Sequence, residues 1–151
     1  MTETAFVLIA ENIARVNHAG QVDKSGIDYI THPERVAAGV AQHGGSTEAV
    51  AAAWLHDVLE DCEVSAAELA HAGIPATVIE AVQAVTKIEG ESLEDYCARI
   101  AANPTALAVK RADLADNTDP ARTAVLSAET RERLATKYAR VRALLGLTHP
   151  A

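Results

Sequence analysis

The stretch Trp54-Leu-His-Asp-Val-Leu-Glu-Asp61 constrains this chain more than any other. It ends an Ala-rich run, Ala49 to Leu55, that is apolar nearly all round and therefore reads as a central, buried helix. His56, Asp57, Glu60 and Asp61 then follow within six residues. Buried charge is costly unless it is paired or binds a metal. A fold for this chain must therefore bury the alanines and give the charges partners.

Composition narrows the fold. The chain has 151 residues, enough for one domain with a sizeable core. It is 49% hydrophobic but only 3% aromatic, so the core is built from Ala, Leu, Val and Ile. That favours closely packed helices over a sandwich or barrel, and the expected fold class is all-α. The net charge of −8 argues against nucleic acid as a partner, which needs a basic stripe. It leaves room for a phosphorylated small molecule, because a bound cation and a few Lys or Arg can invert a local field.

The periodicity predicts a series of helices. Thr2 to about His18 is the first, with Phe6, Ile9, Ala10, Ile13 and Val16 inward and Thr2 or Thr4 as its cap. Gln21 to Thr31 reads as an ordered, functional loop. A second helix opens at Thr31-His32-Pro33-Glu34, with Thr31 or His32 at the cap and Val36, Ala37, Val40 and Ala41 buried. Ser46 caps a third, which runs on through Asp61. Ser65 starts a short helix stopped by Gly73, and Pro75 starts another with Val78, Ile79, Val82 and Val85 inward. Ser92 with Asp95 begins the next. Pro104 to Ala115 follows, with Leu107, Ala108, Arg111 and Ala112 at helical spacing. The chain turns after Asp116 to Pro120. A final helix spans about 129–145, with Leu134, Tyr138, Val141, Leu144 and Leu145 inward and Arg131, Arg133, Lys137, Arg140 and Arg142 mainly outward.

No repeat or linker divides the chain, so residues 1–151 are expected to form a single domain. The start lacks the basic region of a signal peptide, and no segment is long and apolar enough to span a membrane. A cytoplasmic protein with reduced Cys62 and Cys97 is the expectation. Cys62 adjoins the acidic cluster and is read as a packed thiol rather than a ligand.

On one helix, His56 and Glu60 share a face, as do Asp57 and Asp61. Imidazole with carboxylates suits Mn, Fe, Zn or Mg better than a thiophilic metal. Such a cluster is weak evidence alone. Two further places strengthen it: His32 before Pro33, and Lys110-Arg-Ala-Asp-Leu-Ala-Asp-Asn117, where Asp113 and Asn117 share a face. Asp113 is also readable as a buried acid paired with Arg111 or Lys110.

These residues carry a resemblance. HAGQVDKSGIDYITHP, WLHDVLED and VKRADLADN, with Val85-Thr86-Lys87 between, resemble motifs of the HD superfamily of metal-dependent phosphohydrolases. The wording is closest to its RelA/SpoT-like branch, the ppGpp hydrolase domains. The similarity covers about 18–117 in order, and the chain resembles the small stand-alone members, without a synthetase or regulatory domain. The resemblance implies an HD-type helical bundle around a central metal site. It implies His32, His56, Asp57 and Asp113 as metal ligands and Mn2+ as the metal. Glu60 and Asp61 would orient and deprotonate the attacking water. Asn117 would contact ribose or phosphate, and Lys24 and Lys87 lie at positions near the substrate in the family. The implied substrate is a phosphorylated nucleotide, with (p)ppGpp first. Another nucleotide such as NADPH at its 2′-phosphate, or a non-catalytic nucleotide or metal sensor, is the alternative.

The chain also departs from the branch. Asp23 stands where relatives often have Arg, Asp28 where they have Pro, and Asp116 where they often have His or Tyr. The metal and water residues remain. The departures bear on nucleotide specificity, and Asp23 is expected to repel an anionic ligand.

Overall fold

The computed structural model describes residues 3–147. Among them it contains ten helical segments and no strand, only an isolated antiparallel bridge between Val22 and Asp28. The all-α class follows. None of the described helices is long and apolar enough to cross a membrane.

The helix α3, Thr47–Leu55, is the hub. It packs against α1 (Glu3–Asn17), α2 (Thr31–Gln42), α6 (Ala76–Val85) and α8 (Pro104–Asn117). Ala51, Ala52 and Ala53 are buried on its different sides. A larger residue at these positions would hold the neighbours apart, so the alanine run is what lets four helices surround a fifth. The larger apolar side chains come from the partners: Val36, Val40, Val78, Val82, Val109 and Leu114. Each fully buried side chain of this size contributes about 1.5–3 kcal/mol.

Local chemistry sets most of the boundaries. Ser46 Oγ accepts from the Ala49 N–H, Ser65 and Glu68 form a reciprocal capping box, and Ser92 accepts from Asp95 N–H. These open α3, α5 (Ala66–His71) and α7 (Leu93–Ala101). Asn103 caps α8 with Pro104 in its first turn, and Ser127 caps α10 (Ala128–Leu145). Gly146 ends α10 in the left-handed conformation, φ 74°.

Several expectations are corrected. The third helix does not run through to Asp61. It ends at Leu55, and Asp57 at φ −109°, ψ 1° separates it from the single turn α4, Val58–Asp61. The second helix has Ile30 at its cap position with no side-chain cap; the Thr31 hydroxyl instead donates back to Asp28 O. On α1 the buried stripe is Phe6, Ala10 and Ala14, each four residues on. Val16 lies about 200° round the helix from Ala14 and is exposed. The expected cap at Thr2 or Thr4 lies outside the residues whose side chains are described.

Ala41 is also exposed rather than facing the core. The buried face of α8 is Ala106, Val109, Asp113, Leu114 and Asp116. On α10, Leu144 is 38% exposed while Arg142 is buried. A short helix, α9 (Pro120–Thr123), occupies part of what the sequence suggests is only a turn. Asp119 Oδ1 caps it by accepting from the Ala121 N–H.

Candidate functional site

The break after Leu55 builds the centre of the site. Helical hydrogen bonding tightens there, with the His56 N–H reaching Ala53 O at 3.4 Å. The His56 ring turns back on the same carbonyl, and Nδ1 donates to Ala53 O at 2.7 Å. This fixes the tautomer and leaves Nε2 pointing inward. Nε2 is buried, with no hydrogen-bond partner. It lies 3.1 Å from Asp57 Oδ2 and 3.5 Å from Asp113 Oδ1.

His32, in the first turn of α2, approaches from the other side. Its Nδ1 donates to Asp116 Oδ2 at 2.6 Å, and its Nε2 is 2.8 Å from Asp113 Oδ1. The two imidazole rings meet edge to face, with centroids 5.1 Å apart. His32 Nε2, His56 Nε2 and one Asp113 oxygen thus converge, with one donor atom of each residue within 4.8 Å of the others. All three residues are buried.

Charge sharpens the picture. Once Nδ1 of each ring carries a proton, both Nε2 atoms and the Asp113 oxygen are acceptors facing one another. Such a group needs positive charge at its centre, from extra protons or a cation. Burial disfavours charge on His32, but hydrogen bonds to Asp113 and Asp116 hold it above its ordinary value. Burial likewise opposes charge on His56, and Asp57 and Asp113 raise it well above that value. Asp113, despite its burial, is held well below the usual carboxylate range by Lys110 and the two histidines. A divalent cation would satisfy the same acceptors. The donor set, with the unpartnered His56 Nε2, fits one.

Asp57 sits at the rim of this cluster. Its Oδ2 accepts from the Tyr29 hydroxyl, which enters from the loop before α2. Half-buried, Asp57 is held down to about 2 by His56 against the cost of its desolvation. Glu60 and Asp61, one turn on, line the same cavity of about 390 Å³. Glu60 Oε1 accepts from the Lys87 N–H at 3.2 Å. Burial and the neighbouring Asp57 and Glu60 raise Asp61 above its ordinary value. Lys24, Lys87 and Asn117 line this cavity too. All nine site residues expected from the sequence therefore meet in one place.

Asn117 is more constrained than the expected substrate contact implies. Its amide donates to Asp113 Oδ1 at 3.1 Å, and its carbonyl accepts from Arg122 at 3.2 Å. Asp113 pairs with Lys110, Nζ to Oδ2 at 3.0 Å, and not with Arg111. Cys62 is a free thiol, half-buried and raised by burial, and donates to Asn17 O at 3.5 Å.

Asp23, expected to repel an anionic ligand, is engaged within its own loop. Asp23 Oδ1 accepts from the N–H groups of Ser25 and Ile27 at 2.8 and 3.0 Å. Its Oδ2 lies 3.5 Å from the Arg122 guanidinium. Gly26, at φ 80°, supplies the backbone turn that brings those N–H groups round. The carboxylate is spent on closing the loop and tying it to α9.

Asp116, Tyr29, Arg122 and Lys137 were not singled out as site residues by the sequence. Asp116 is the most consequential. It is buried, and besides His32 it accepts from Arg35 Nε at 2.7 Å and Arg122 Nη1 at 2.8 Å. A carboxylate that holds the far nitrogen of a ligating histidine fixes ring orientation and basicity. Its spacing, three residues after Asp113, was the available signal.

Comparison with known proteins agrees with this geometry. A guanosine-3′,5′-bis(diphosphate) 3′-pyrophosphohydrolase of Vibrio cholerae is 42% identical over 84 residues, 55% of this chain and 12% of that protein. One of Aquifex aeolicus is 34% identical over 116 residues, 72% of this chain and 16% of that protein. A probable GTP pyrophosphokinase of Mycobacterium leprae is 32% identical over 121 residues, 75% of this chain and 15% of that protein. The chain thus spans well under a fifth of the length of these relatives. A solved structure described as a metazoan ortholog of SpoT that hydrolyzes ppGpp superposes with a TM-score of 0.78 at 22% identity, covering 93% of this chain and 85% of that one. That likeness concerns the fold. The model of the HD domain family matches residues 10–146, nearly the whole described structure, and the chain belongs to that family.

Proposed function

We propose that this chain is a metal-dependent phosphohydrolase that acts on a phosphorylated nucleotide, removing the 3′-diphosphate of (p)ppGpp, and that 1–151 works as one HD domain. The observation that carries this reading is the convergence of His32 Nε2, His56 Nε2 and Asp113 Oδ1, with Glu60 and Asp61 on the wall of the same cavity. The names of the pyrophosphohydrolase relatives supply the substrate.

His32, His56, Asp57 and Asp113 would hold the ion, with Mn2+ the metal we assign. When bound, a divalent cation neutralises phosphoryl charge and acidifies water. The remaining work belongs to the chain. Asp61, its proton affinity already raised, takes a proton from the attacking water. Glu60, anchored by the Lys87 N–H, orients that water. The water oxygen bonds to the phosphorus next to the 3′-oxygen as the P–O3′ bond breaks, and the 3′-oxygen leaves with the proton that Asp61 took from the water. Lys24 and Lys87 receive phosphate oxygens, and Asn117 holds the edge of the site. Neutralised by its loop and by Arg122, Asp23 presents less free negative charge to such a ligand than the sequence suggests.

The test is product analysis with Mn2+-loaded protein and a panel of ppGpp, pppGpp, NADPH and common nucleotides. Pyrophosphate release from ppGpp is expected. Orthophosphate from NADPH alone would transfer the reading to the 2′-phosphate, and no turnover across the panel would contradict the hydrolase assignment.

A further inference from the structure

Glu60 stands on a single helical turn, α4, and its side chain is long and exposed. A free glutamate samples many rotamers, so holding one toward a cavity needs a partner. Among the described residues its carboxylate has one hydrogen bond, from the Lys87 N–H at 3.2 Å. That N–H is available because α6 has ended: Thr86 is extended, at φ −89° and ψ 127°, and turns the chain out of the helix. What fixes Lys87 therefore fixes Glu60.

The last carbonyls of a helix have no partner within it. At the end of α6 side chains satisfy them. The Thr86 hydroxyl donates to Val82 O at 2.7 Å, and the buried Tyr96 hydroxyl donates to Val85 O at 2.8 Å. Arg99, one turn on from Tyr96 along α7, does the rest. Its Nη1 donates to Gln83 O and Ala84 O at 3.1 and 3.2 Å, and its Nη2 to Thr86 O at 3.0 Å. Nε and Nη2 grip both oxygens of Glu91 at 2.7 Å. Gly90, at φ 83°, closes the turn that returns Glu91 to Arg99. A guanidinium has five N–H groups, and all five contacts are made. Both ends of the segment 86–91 are thus held by one side chain that is itself outside the cavity.

Resting on the hydrolase reading above, we propose that Arg99 is a positioning residue for Glu60: from α7 it clamps the segment after α6, so that the Lys87 N–H faces the Glu60 carboxylate and directs it at the attacking water. Arg99 touches neither the metal donors nor Glu60. Its effect passes through the backbone from Thr86 to Lys87.

The test joins turnover of ppGpp by Mn2+-loaded protein to amide hydrogen exchange at Lys87 in the substrate-free protein. Arg99→Ala is expected to retain the metal, to lower kcat about ten- to hundredfold with KM changed less than about threefold, and to lower it less than about twofold further in a Glu60→Gln background. Exchange at Lys87 is expected to quicken about tenfold. Glu91→Gln, which removes the fork partner and nothing of α7, is scored beside it and shifts both readouts the same way. Equal loss of kcat in both backgrounds, a change in KM alone, or unchanged exchange at Lys87 overturns the assignment. No hydrolysis by wild type, with exchange at Lys87 still quickened by Arg99→Ala, removes the hydrolase reading and leaves the Arg99 clamp on Lys87 standing.

Discussion

The His32 imidazole and the Asp116 carboxylate meet at 2.6 Å between Nδ1 and Oδ2. This contact decides which nitrogen of His32 faces Asp113. Two arginines, Arg35 and Arg122, hold Asp116 from other sides, so the carboxylate cannot rotate away. The relationship joins α2 to α8 and converts a helix-start histidine into an oriented donor.

Asp116→Asn therefore weakens metal binding about 10- to 100-fold without unfolding the protein, as loss of a histidine's outer partner does elsewhere. Calorimetric titration with Mn2+, beside a circular dichroism melt, checks both halves of the statement. An unchanged affinity would mean that His32 is oriented by its packing alone.

Legibility in the sequence followed range. Caps were readable because Ser46, Ser65 and Ser92 act on N–H groups three residues away. The core faces of α6 and the hub α3 were readable from periodicity and from the alanine run. The break at His56–Asp57 was not, because no Gly or Pro interrupts Trp54 to Asp61; tertiary bonds from Tyr29 to Asp57 and from Lys87 to Glu60 meet the chain there. The site residues were found through motif resemblance, while Asp116 and Arg122 were missed because their partners His32 and Asp23 lie 84 and 99 residues away. Arg142 was misplaced for the same reason: its guanidinium donates to Thr118 at 3.1 Å, 24 residues back.

The alanines of α3 make a second prediction. Ala51→Leu inserts a larger side chain where five helices meet and costs about 1–3 kcal/mol. Thermal or urea denaturation measures it. A neutral effect would mean that the hub is loosely packed.

Asp23 predicts an acid dependence. Burial opposes its charge, but the Ile27 and Ser25 N–H groups and Arg122 outweigh that and lower its proton affinity. A carboxyl depressed on folding stabilises the protein fully above its unfolded value, about 3.9, and loses that contribution as pH falls through the folded value. Asp23→Asn should cost about 1 kcal/mol at neutral pH. The gap to wild type should close below about pH 4. Paired melts across pH 3–7 test it, and a gap independent of pH would assign the cost to geometry rather than charge.

Glu60 and the donors should separate functionally. Glu60→Gln retains the metal and lowers kcat about 10²- to 10⁴-fold, the usual range for a positioned acid or base. Elemental analysis and pyrophosphate release on the same preparation report the two effects. Equal loss of metal in this variant would place Glu60 among the ligands.

The proposed hydrolase depends on His32, His56 and Asp113 forming one metal site. Metal content after Mn2+ loading and desalting tests it most directly, comparing wild type with His32→Ala, His56→Ala, Asp113→Asn and Glu60→Gln. One equivalent of metal is expected in wild type and Glu60→Gln, and near-complete loss in each of the other three. Full metal content in a folded His56→Ala or Asp113→Asn variant would contradict it.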